Sequence, residues 1–171
     1  MRKWKVLLLA LLLGIQTLAN AGLSEGIAAF NAKDYATALR EFLPLANQGN
    51  AQAQNNLGVM YKNGRGVPKD EAQAVAWYRK AAEQGNANAQ TNLGNMYGNG
   101  RGVPKDVVLA YMLYNIAAAN GNEKAINNRA SLEGTLSRQQ ITEAQALASA
   151  WKPGTPFPTT SRTGKLANPD R

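Results

Sequence analysis

Residues 51–86 read AQAQNNLGVMYKNGRGVPKDEAQAVAWYRKAAEQGN, and residues 87–122 read ANAQTNLGNMYGNGRGVPKDVVLAYMLYNIAAANGN. Aligned without a gap, the two stretches are identical at 22 of 36 positions. A period of this length is typical of a solenoid, in which each repeat buries its apolar face only against its neighbours. Solenoids mostly bind other macromolecules along an extended surface, so the period bears on function as well as on fold.

Each repeat has the pattern of two helices. Apolar residues at helical spacing predict helix A of the first repeat over about Ala51–Lys62. A glycine-rich turn at residues 63–66 ends this helix, and Pro68 prevents its continuation. Asp70 is then placed to cap helix B, because its side chain can accept hydrogen bonds from the first backbone N–H groups. The second repeat follows the same plan, with helix B over residues 106–120.

Weaker copies flank the two repeats. Residues 22–50 fit a degenerate repeat with a shorter loop, in which Asp34 lies one period before the capping aspartate of the first full repeat. Residues 123–151 fit a partial repeat and a last helix, whose Ser137 lies three residues before a glutamine, the spacing of a capping box. The chain is therefore predicted to be all-α, a solenoid of antiparallel helix pairs.

The two ends are predicted to lie outside the solenoid. Residues 1–21 have a basic start, an apolar run and a small-x-small site before Gly22, which is the pattern of a signal peptide. Cleavage there predicts a periplasmic or secreted protein with no membrane anchor, and an uncleaved anchor is the alternative. Residues 152–171 are rich in proline, threonine and basic side chains and predict a disordered basic tail.

The composition argues against most site chemistry. The chain has no cysteine and no histidine, which removes the thiol nucleophile, the commonest general base and the main zinc ligands. Ser149 and Lys152 have the S-x-x-K spacing of penicillin-recognising enzymes, without the partner motifs of those enzymes. The net charge of +8 lies mostly at the two ends, and residues 22–151 hold 12 basic and 10 acidic side chains. We therefore expect no enzyme activity, no cofactor, no metal and no nucleic-acid partner.

Helix B of the second repeat differs from its counterpart. Residues 107–113 and Ile116 make it apolar on nearly every side, which is typical of a buried helix. The favoured interpretation is that the last helix, Ser137–Trp151, folds over it as a cap, which terminal repeats require. The alternative is an exposed patch on which a partner docks.

The string shared by both repeats, with its Ala-Gln, Leu-Gly, Met-Tyr and Gly-Arg-Gly-Val-Pro-Lys-Asp segments, closely resembles the Sel-one-like repeat family, most strongly over residues 51–122. The resemblance implies a right-handed α/α superhelix, similar to tetratricopeptide repeats, whose A helices line a concave groove. It also implies an adaptor or regulator of protein–protein contacts, often in bacterial envelopes. Some secreted members carry a cysteine pair in each repeat and are linked to β-lactam binding. This chain lacks those cysteines, so neither property is carried over.

A candidate binding face follows from comparing the two A helices. The positions that differ between them lie on one helix face, while the identical positions lie mostly on the other. A face that changes while its neighbours stay fixed is expected not to hold the repeats together, so it is a candidate lining of the groove or else plain solvated surface. With the recurring asparagines, the predicted protein-binding residues are Gln52, Asn55, Asn56, Val59, Lys62, Asn88, Thr91, Asn92 and Asn95.

Two further sets recur at the same period. The asparagines are Asn56, Asn92 and Asn128. They are interpreted as bridges from helix to loop, or alternatively as a row that clamps a peptide. The basic residues of the turns are Arg65, Lys69, Arg101 and Lys105. They are interpreted as solvated loop charges, or alternatively as contacts to an anionic partner.

The function expected from the sequence is that of a non-enzymatic scaffold or regulator in the bacterial envelope. It would bind a protein partner, which the sequence does not identify, through the concave face of the A helices, and it would act as a monomer. Two alternatives stay open. One is an envelope enzyme or ligand binder related to cell-wall material or β-lactams, and the other is a binder of anionic surfaces through the basic turns and tail.

Overall fold

A computed structural model of the chain describes residues 21–158, and within that range every regular element is an α-helix. The helices, in chain order, are α1 (residues 21–31), α2 (Tyr35–Asn47), α3 (Ala51–Asn63), α4 (Glu71–Glu83), α5 (Ala87–Asn99), α6 (Val107–Ala119), α7 (Glu123–Glu133) and α8 (Arg138–Ala150). Successive pairs pack on one another through α2 and α3, α4 and α5, and α6 and α7. The predicted all-α solenoid is confirmed.

Two predicted segments fall largely outside the described residues. The signal peptide, residues 1–21, lies outside them except for its last residue, and so do residues 159–171 of the predicted tail. Between residues 21 and 158, none of the helices combines the length and the apolar character that crossing a membrane requires.

The ends of the helices follow the predicted capping chemistry. Gly64 and Gly100 end α3 and α5 in the left-handed conformation, with φ of 67° and 65°. Asp70 and Asp106 begin α4 and α6, and each side chain accepts a 2.9 Å hydrogen bond from the backbone N–H three residues later. The repeated turn therefore fixes where helix A stops and where helix B starts.

A second pair of turn glycines lets each repeat approach the preceding one. A Cβ atom at Gly66 would lie 2.8 Å from the carbonyl oxygen of Tyr35, and one at Gly102 would lie closer still to that of Glu71. Both are closer than non-bonded atoms can come, so only glycine allows the turn to rest on the start of the preceding helix B.

Within each repeat, helix A and helix B meet where a glycine faces an aromatic ring. A Cβ at Gly58 would lie 2.5 Å from the ring of Tyr78, and one at Gly94 would lie 2.6 Å from the ring of Tyr114. The first helix pair makes the same contact between Gly26 and the ring of Phe42. These two residues are 16 positions apart rather than 20, which agrees with the shorter loop predicted for the degenerate repeat.

Helix α6 is covered on nearly all sides. Nine of its 13 residues are buried, and it packs against α5, α7 and α8. Helix α8 begins with the predicted capping box, formed by Ser137 and Gln140, and it buries Ala144 fully. The interpretation of α8 as a cap is therefore confirmed, and the alternative of an exposed patch on α6 is wrong.

The chain after α8 corrects the predicted start of the disordered tail at Lys152. Residues 152–158, which we call the strap, return across the molecule to the end of α4. Phe157 is only 4% exposed and stacks on Trp151, with ring centroids 5.0 Å apart. Composition suggested disorder, but one aromatic side chain and a Pro-Gly turn are enough to hold this segment in place.

Candidate functional site

The predicted binding residues lie on α3 and α5 and form the surface that we call the A-helix face. Asn88 is exposed, whereas Asn55 and Thr91 are buried, with 6% and 4% of their surfaces exposed. The other six are half-buried: Gln52, Asn56, Val59, Lys62, Asn92 and Asn95. The predicted face is therefore partly surface and partly an interface between repeats.

Amide pairs join neighbouring A helices directly. The Nδ2 group of Asn92 donates to Oδ1 of Asn55 at 3.0 Å, which links α5 to α3. The Nδ2 group of Asn128 donates to Oδ1 of Asn95 at 2.9 Å, which links α7 to α5. For Asn92 and Asn128, the interpretation as bridges from helix to loop is thus wrong, because they connect helix to helix. The expectation that the variable face does not hold the repeats together is also wrong, because Asn55 and Asn95 belong to it.

The two links use different acceptors because the repeats differ at two positions. The first repeat offers Asn55 and Val59, and the second offers Thr91 and Asn95 at the equivalent places. The Thr91 hydroxyl donates to the carbonyl of Ala87 in its own helix, at 2.8 Å. The accepting side chain therefore lies one helical turn further along the helix in the second repeat, and the hydrogen bond between neighbouring A helices is kept in both.

A groove of about 290 Å³ opens at the C-terminal end of the A-helix face, beside α5, α6 and α7. Its wall is made largely of amide and hydroxyl side chains, and none of its lining residues is charged. The polar members are Asn95, Asn99, Tyr114, Asn128, Ser131 and Thr135. We call this cavity the amide groove. Only Asn95 belonged to the predicted binding residues, and Asn128 was named only in the alternative of a row that clamps a peptide. The other polar members were missed because they lie on or beside three different helices.

Positive charge collects at one end of α3. Burial, and then the charges of Arg101 and Arg65, hold the pKa of the Lys62 ammonium below its usual value. Within residues 21–158, no carboxylate lies within 4 Å of Lys62. A negative group of a partner would relieve this repulsion, so Lys62 favours an acidic contact.

The basic turns serve mostly the fold. Arg101 binds the carboxylate of Glu71 through Nε at 3.0 Å, and Lys69 lies 3.5 Å from the same carboxylate. Arg65, at the position equivalent to Arg101, lies 5.4 Å from the ring of Phe30 instead. The side chains of Lys69 and Arg101 are 59% and 43% exposed, which agrees with the interpretation as solvated loop charges, although both also contact Glu71. Arg65 is half-buried and contacts an aromatic ring of the protein itself.

Two features of the described part of the chain bear on the chemistry that the sequence raised. The hydroxyl of Ser149, the serine of the S-x-x-K string, donates to the carbonyl of Gln145 in its own helix at 2.9 Å. Between residues 21 and 158, no three acidic side chains come together in a way that could hold a metal ion.

Two glutamines that the sequence comparison left aside connect each A helix to the preceding B helix. Nε2 of Gln54 donates to the carbonyl of Ala46, and Nε2 of Gln90 donates to that of Ala82, at 3.0 and 3.2 Å. Both are almost fully buried. The sequence did contain a sign of this role, because the same polar residue, glutamine, occupies the equivalent position in both repeats.

Comparison with known proteins gives one family and several similar solved structures. The model of the Sel1 repeat matches residues 51–86 and 87–122. The crystal structure of a protective antigen present in uropathogenic Escherichia coli strains, displaying an SLR fold, aligns with a TM-score of 0.75 and 36% identity over 78% of this chain. That of a Sel1 repeat protein from Oxalobacter formigenes aligns with a TM-score of 0.64 and 36% identity over 73% of this chain.

The two relatives are longer than the stretch they share with this chain, which covers 29% of the antigen and 53% of the Oxalobacter protein. A comparison with curated proteins gives no match.

Proposed function

Because residues 51–122 of this chain are two Sel1 repeats, we propose that the protein is a non-enzymatic scaffold or regulator of the bacterial envelope, which binds a partner protein on its A-helix face. Sel1 repeats generally mediate contacts between proteins, and proteins built from them are generally not enzymes. The predicted signal peptide supports export, and so does a relative described as a protective antigen.

The observation that carries the proposal is the amide groove at the end of the A-helix face. Its wall offers hydrogen-bond donors and acceptors without any charge, which suits the N–H and C=O groups of a peptide backbone. Asn99, Ser131 and Thr135 are exposed there, so a partner can reach the wall without unfolding the solenoid.

Lys62 adds a charge preference at the same face. Its half-buried ammonium lies near two guanidinium groups and lacks a carboxylate partner in the described part of the chain. A partner with an acidic side chain at this point gains a contact that also reduces the repulsion among the three cations. The proposed partner is therefore a protein that places an acidic residue beside α3 and main-chain groups in the amide groove.

Site-specific photo-crosslinking tests the proposal. A crosslinking amino acid replaces Asn99 or Ser131 in the groove wall, and Ala76, exposed on α4, is the matched control on a helix B. Irradiation in envelope extract is expected to give the same adduct from both groove positions and none from the control. Adducts of equal yield at all three positions, or none at the groove positions, would refute binding at this face.

Export is tested separately. The mature protein isolated from the envelope fraction or the medium is expected to begin at Gly22. A mature protein that still begins at Met1 would contradict the cleaved signal peptide without bearing on the A-helix face.

A further inference from the structure

The glycine that faces an aromatic ring sets the register of the A helices α1, α3 and α5. Ile27 follows this glycine in α1, as Val59 does in α3 and Asn95 does in α5. Leu23, one turn earlier in α1, stands at the position of Asn55 in α3. The two positions at which α3 and α5 accept a hydrogen bond from the next A helix are therefore both apolar in α1.

The row of amide links between A helices consequently stops at α3. Asn56 holds the place in α3 that Asn92 holds in α5 and Asn128 in α7, and each of the latter two donates to the preceding A helix. With Leu23 and Ile27 at the acceptor positions, α1 offers no side-chain acceptor there. The half-buried amide of Asn56 has no hydrogen-bond partner in the described part of the chain, so both its donor and its acceptor are left for a group from outside.

Ile27 is left uncovered at the same place. It is 37% exposed, whereas Leu23 and Phe30 on the same helix face pack against the core. By the same register, Ile27 lies beside Asn56, with Val59 one turn further along α3. A single exposed apolar residue is ordinary, but this one adjoins an amide that also lacks a partner.

Lys62 lies on the other side of α3. It follows Asn56 by six residues, about 9 Å along the helix axis, and the charge of Arg101 at the end of α5 acts on it. Val59 lies between the two positions. An extended chain that runs from Ile27 across α3 to Lys62 needs about three or four residues, because each residue advances by about 3.3 Å. Continued in the same direction, it arrives at the amide groove.

On the basis of the proposed function, we propose that the partner enters the A-helix face at α1 with an extended segment that carries an aliphatic residue and, about three or four positions away, an acidic residue. The aliphatic side chain packs on Ile27 and Val59, and a main-chain carbonyl of the segment accepts from the Asn56 amide. The carboxylate binds Lys62, which has no acidic partner within 4 Å in the described part of the chain.

Selection of short random peptides, displayed on phage, against the immobilised protein tests this recognition pattern. The selected sequences are expected to share an aliphatic residue and an Asp or Glu about three or four positions apart. Against the variant Lys62→Glu, a Lys or Arg is expected to replace the acidic residue, because the charge that it meets is reversed. Sequences that lack the aliphatic–acidic pair, or that keep the acidic residue against Lys62→Glu, would overturn the proposal, and so would a selection without enrichment.

The matched substitutions Ile27→Asp and Leu43→Asp isolate the apolar contact, because Leu43 is as exposed, at 39%, but lies on the helix B of its pair. Ile27→Asp is expected to weaken binding of a selected peptide about tenfold or more, and Leu43→Asp is expected to leave it unchanged. Ile27→Asn gives the Asn56 amide an acceptor within the protein, so it is expected to weaken peptide binding without lowering the melting temperature. Equal losses for the two aspartate variants, or unchanged binding to Ile27→Asn, would contradict the proposal.

Crosslinking distinguishes failure of this inference from failure of the proposed function. With a crosslinking amino acid at Ile27, the partner adduct expected from Asn99 and Ser131 is expected to form as well. An adduct at those groove positions but not at Ile27, or an adduct of Ile27 with a second copy of the protein, would overturn entry at α1 and leave the amide groove standing. A partner adduct at Ile27 alone would support the contact at α1 and refute binding in the amide groove.

Discussion

The hydroxyl of Tyr114 donates a 2.7 Å hydrogen bond to Oδ1 of Asn95, the same oxygen that accepts from Asn128. In the first repeat, Val59 stands in place of Asn95 and Tyr78 in place of Tyr114. The Tyr78 hydroxyl is buried and has no hydrogen-bond partner within the described residues. The difference between Val59 and Asn95 therefore decides whether the tyrosine hydroxyl of each repeat has a hydrogen-bond acceptor.

Replacing Asn95 by valine is expected to lower the free energy of unfolding by about 1–3 kcal/mol, because the buried hydroxyl of Tyr114 loses its acceptor. The measurement is urea unfolding followed by circular dichroism.

The reverse substitution, Val59→Asn, is the matched control for Asn95→Val. It offers an acceptor to Tyr78, and a new hydrogen bond of about 1 kcal/mol is expected to offset the loss of a half-buried valine. Equal destabilisation by both substitutions would show that the hydroxyl bond has no influence.

The turn glycines give a second prediction. Both Gly102 and Gly121 have positive φ. The Cβ atom of Gly102→Ala would clash with the carbonyl of Glu71, whereas that of Gly121→Ala would meet no atom within 4 Å. Each substitution is expected to lower the free energy of unfolding by about 1–2 kcal/mol, because alanine disfavours the left-handed conformation. The clash is expected to make Gly102→Ala worse by about a further 1–3 kcal/mol. Melting temperatures of the two variants that agree within error would contradict the close packing of the turn.

Alkaline pH is expected to destabilise the protein through its buried tyrosines. Burial raises the pKa of Tyr114 to about 12 and also raises that of Tyr78. In the unfolded chain a tyrosine releases its proton near pH 10, so the unfolded state is favoured as the pH rises from about 10 to 12. The stability contributed by Tyr114 is thus complete below pH 10 and falls by about 1.4 kcal/mol per pH unit above it.

The comparison that isolates this effect is with Tyr114→Phe, which lacks the titrating group. Denaturant unfolding at several pH values is expected to show a shallower decline for the variant than for the wild type. Ionisation of surface lysines affects the wild type and the variant equally. If the stability of the two proteins declines in parallel with pH, the pKa of Tyr114 is the same in the folded and the unfolded state.

The charge preference of the A-helix face can be tested once the crosslinked partner is known. Lys62→Glu is expected to weaken partner binding about tenfold, or roughly 1.4 kcal/mol, and to remove most of its salt dependence. Lys80→Glu makes the same charge change on an exposed part of α4 and is expected to have no effect. A similar loss in both variants would indicate a general charge effect rather than a contact at Lys62.

Most of the fold could be predicted because its determinants are local and repeated. The capping aspartates, the left-handed glycines and the capping box at Ser137 each act within a few residues, and all are confirmed. The covering of α6 could also be predicted, because a helix without a polar side cannot stay in water.

The candidate site was harder to predict than the fold. A polar residue can differ between the repeats while another residue nearby makes the equivalent hydrogen bond. The difference between Asn55 and Thr91 suggested a free surface, but Asn95 takes over the acceptor one turn later. A similar case is Gln84, which donates to Gln54 at 2.7 Å. One period later the equivalent pair is Asn120 and Gln90. Asn120 has a side chain one methylene shorter than glutamine and donates to the carbonyl of Ile116 in its own helix. Oε1 of Gln90 therefore has no hydrogen-bond partner in the described part of the chain.

The strap could not be predicted from composition. Proline and threonine suggest disorder, and the anchoring residue, Phe157, is a single aromatic in such a segment. Its burial depends on Glu83, which lies 74 residues away in the chain.

That separation of 74 residues changes how the molecule is expected to unfold. In a row of repeats that touch only their neighbours, a terminal helix can fray alone while the centre stays folded. The strap instead ties the far side of α8 to the first full repeat, so loosening the last helix also disturbs a unit two steps away. We therefore expect this short linear array to melt in a single cooperative transition, as a globular domain does.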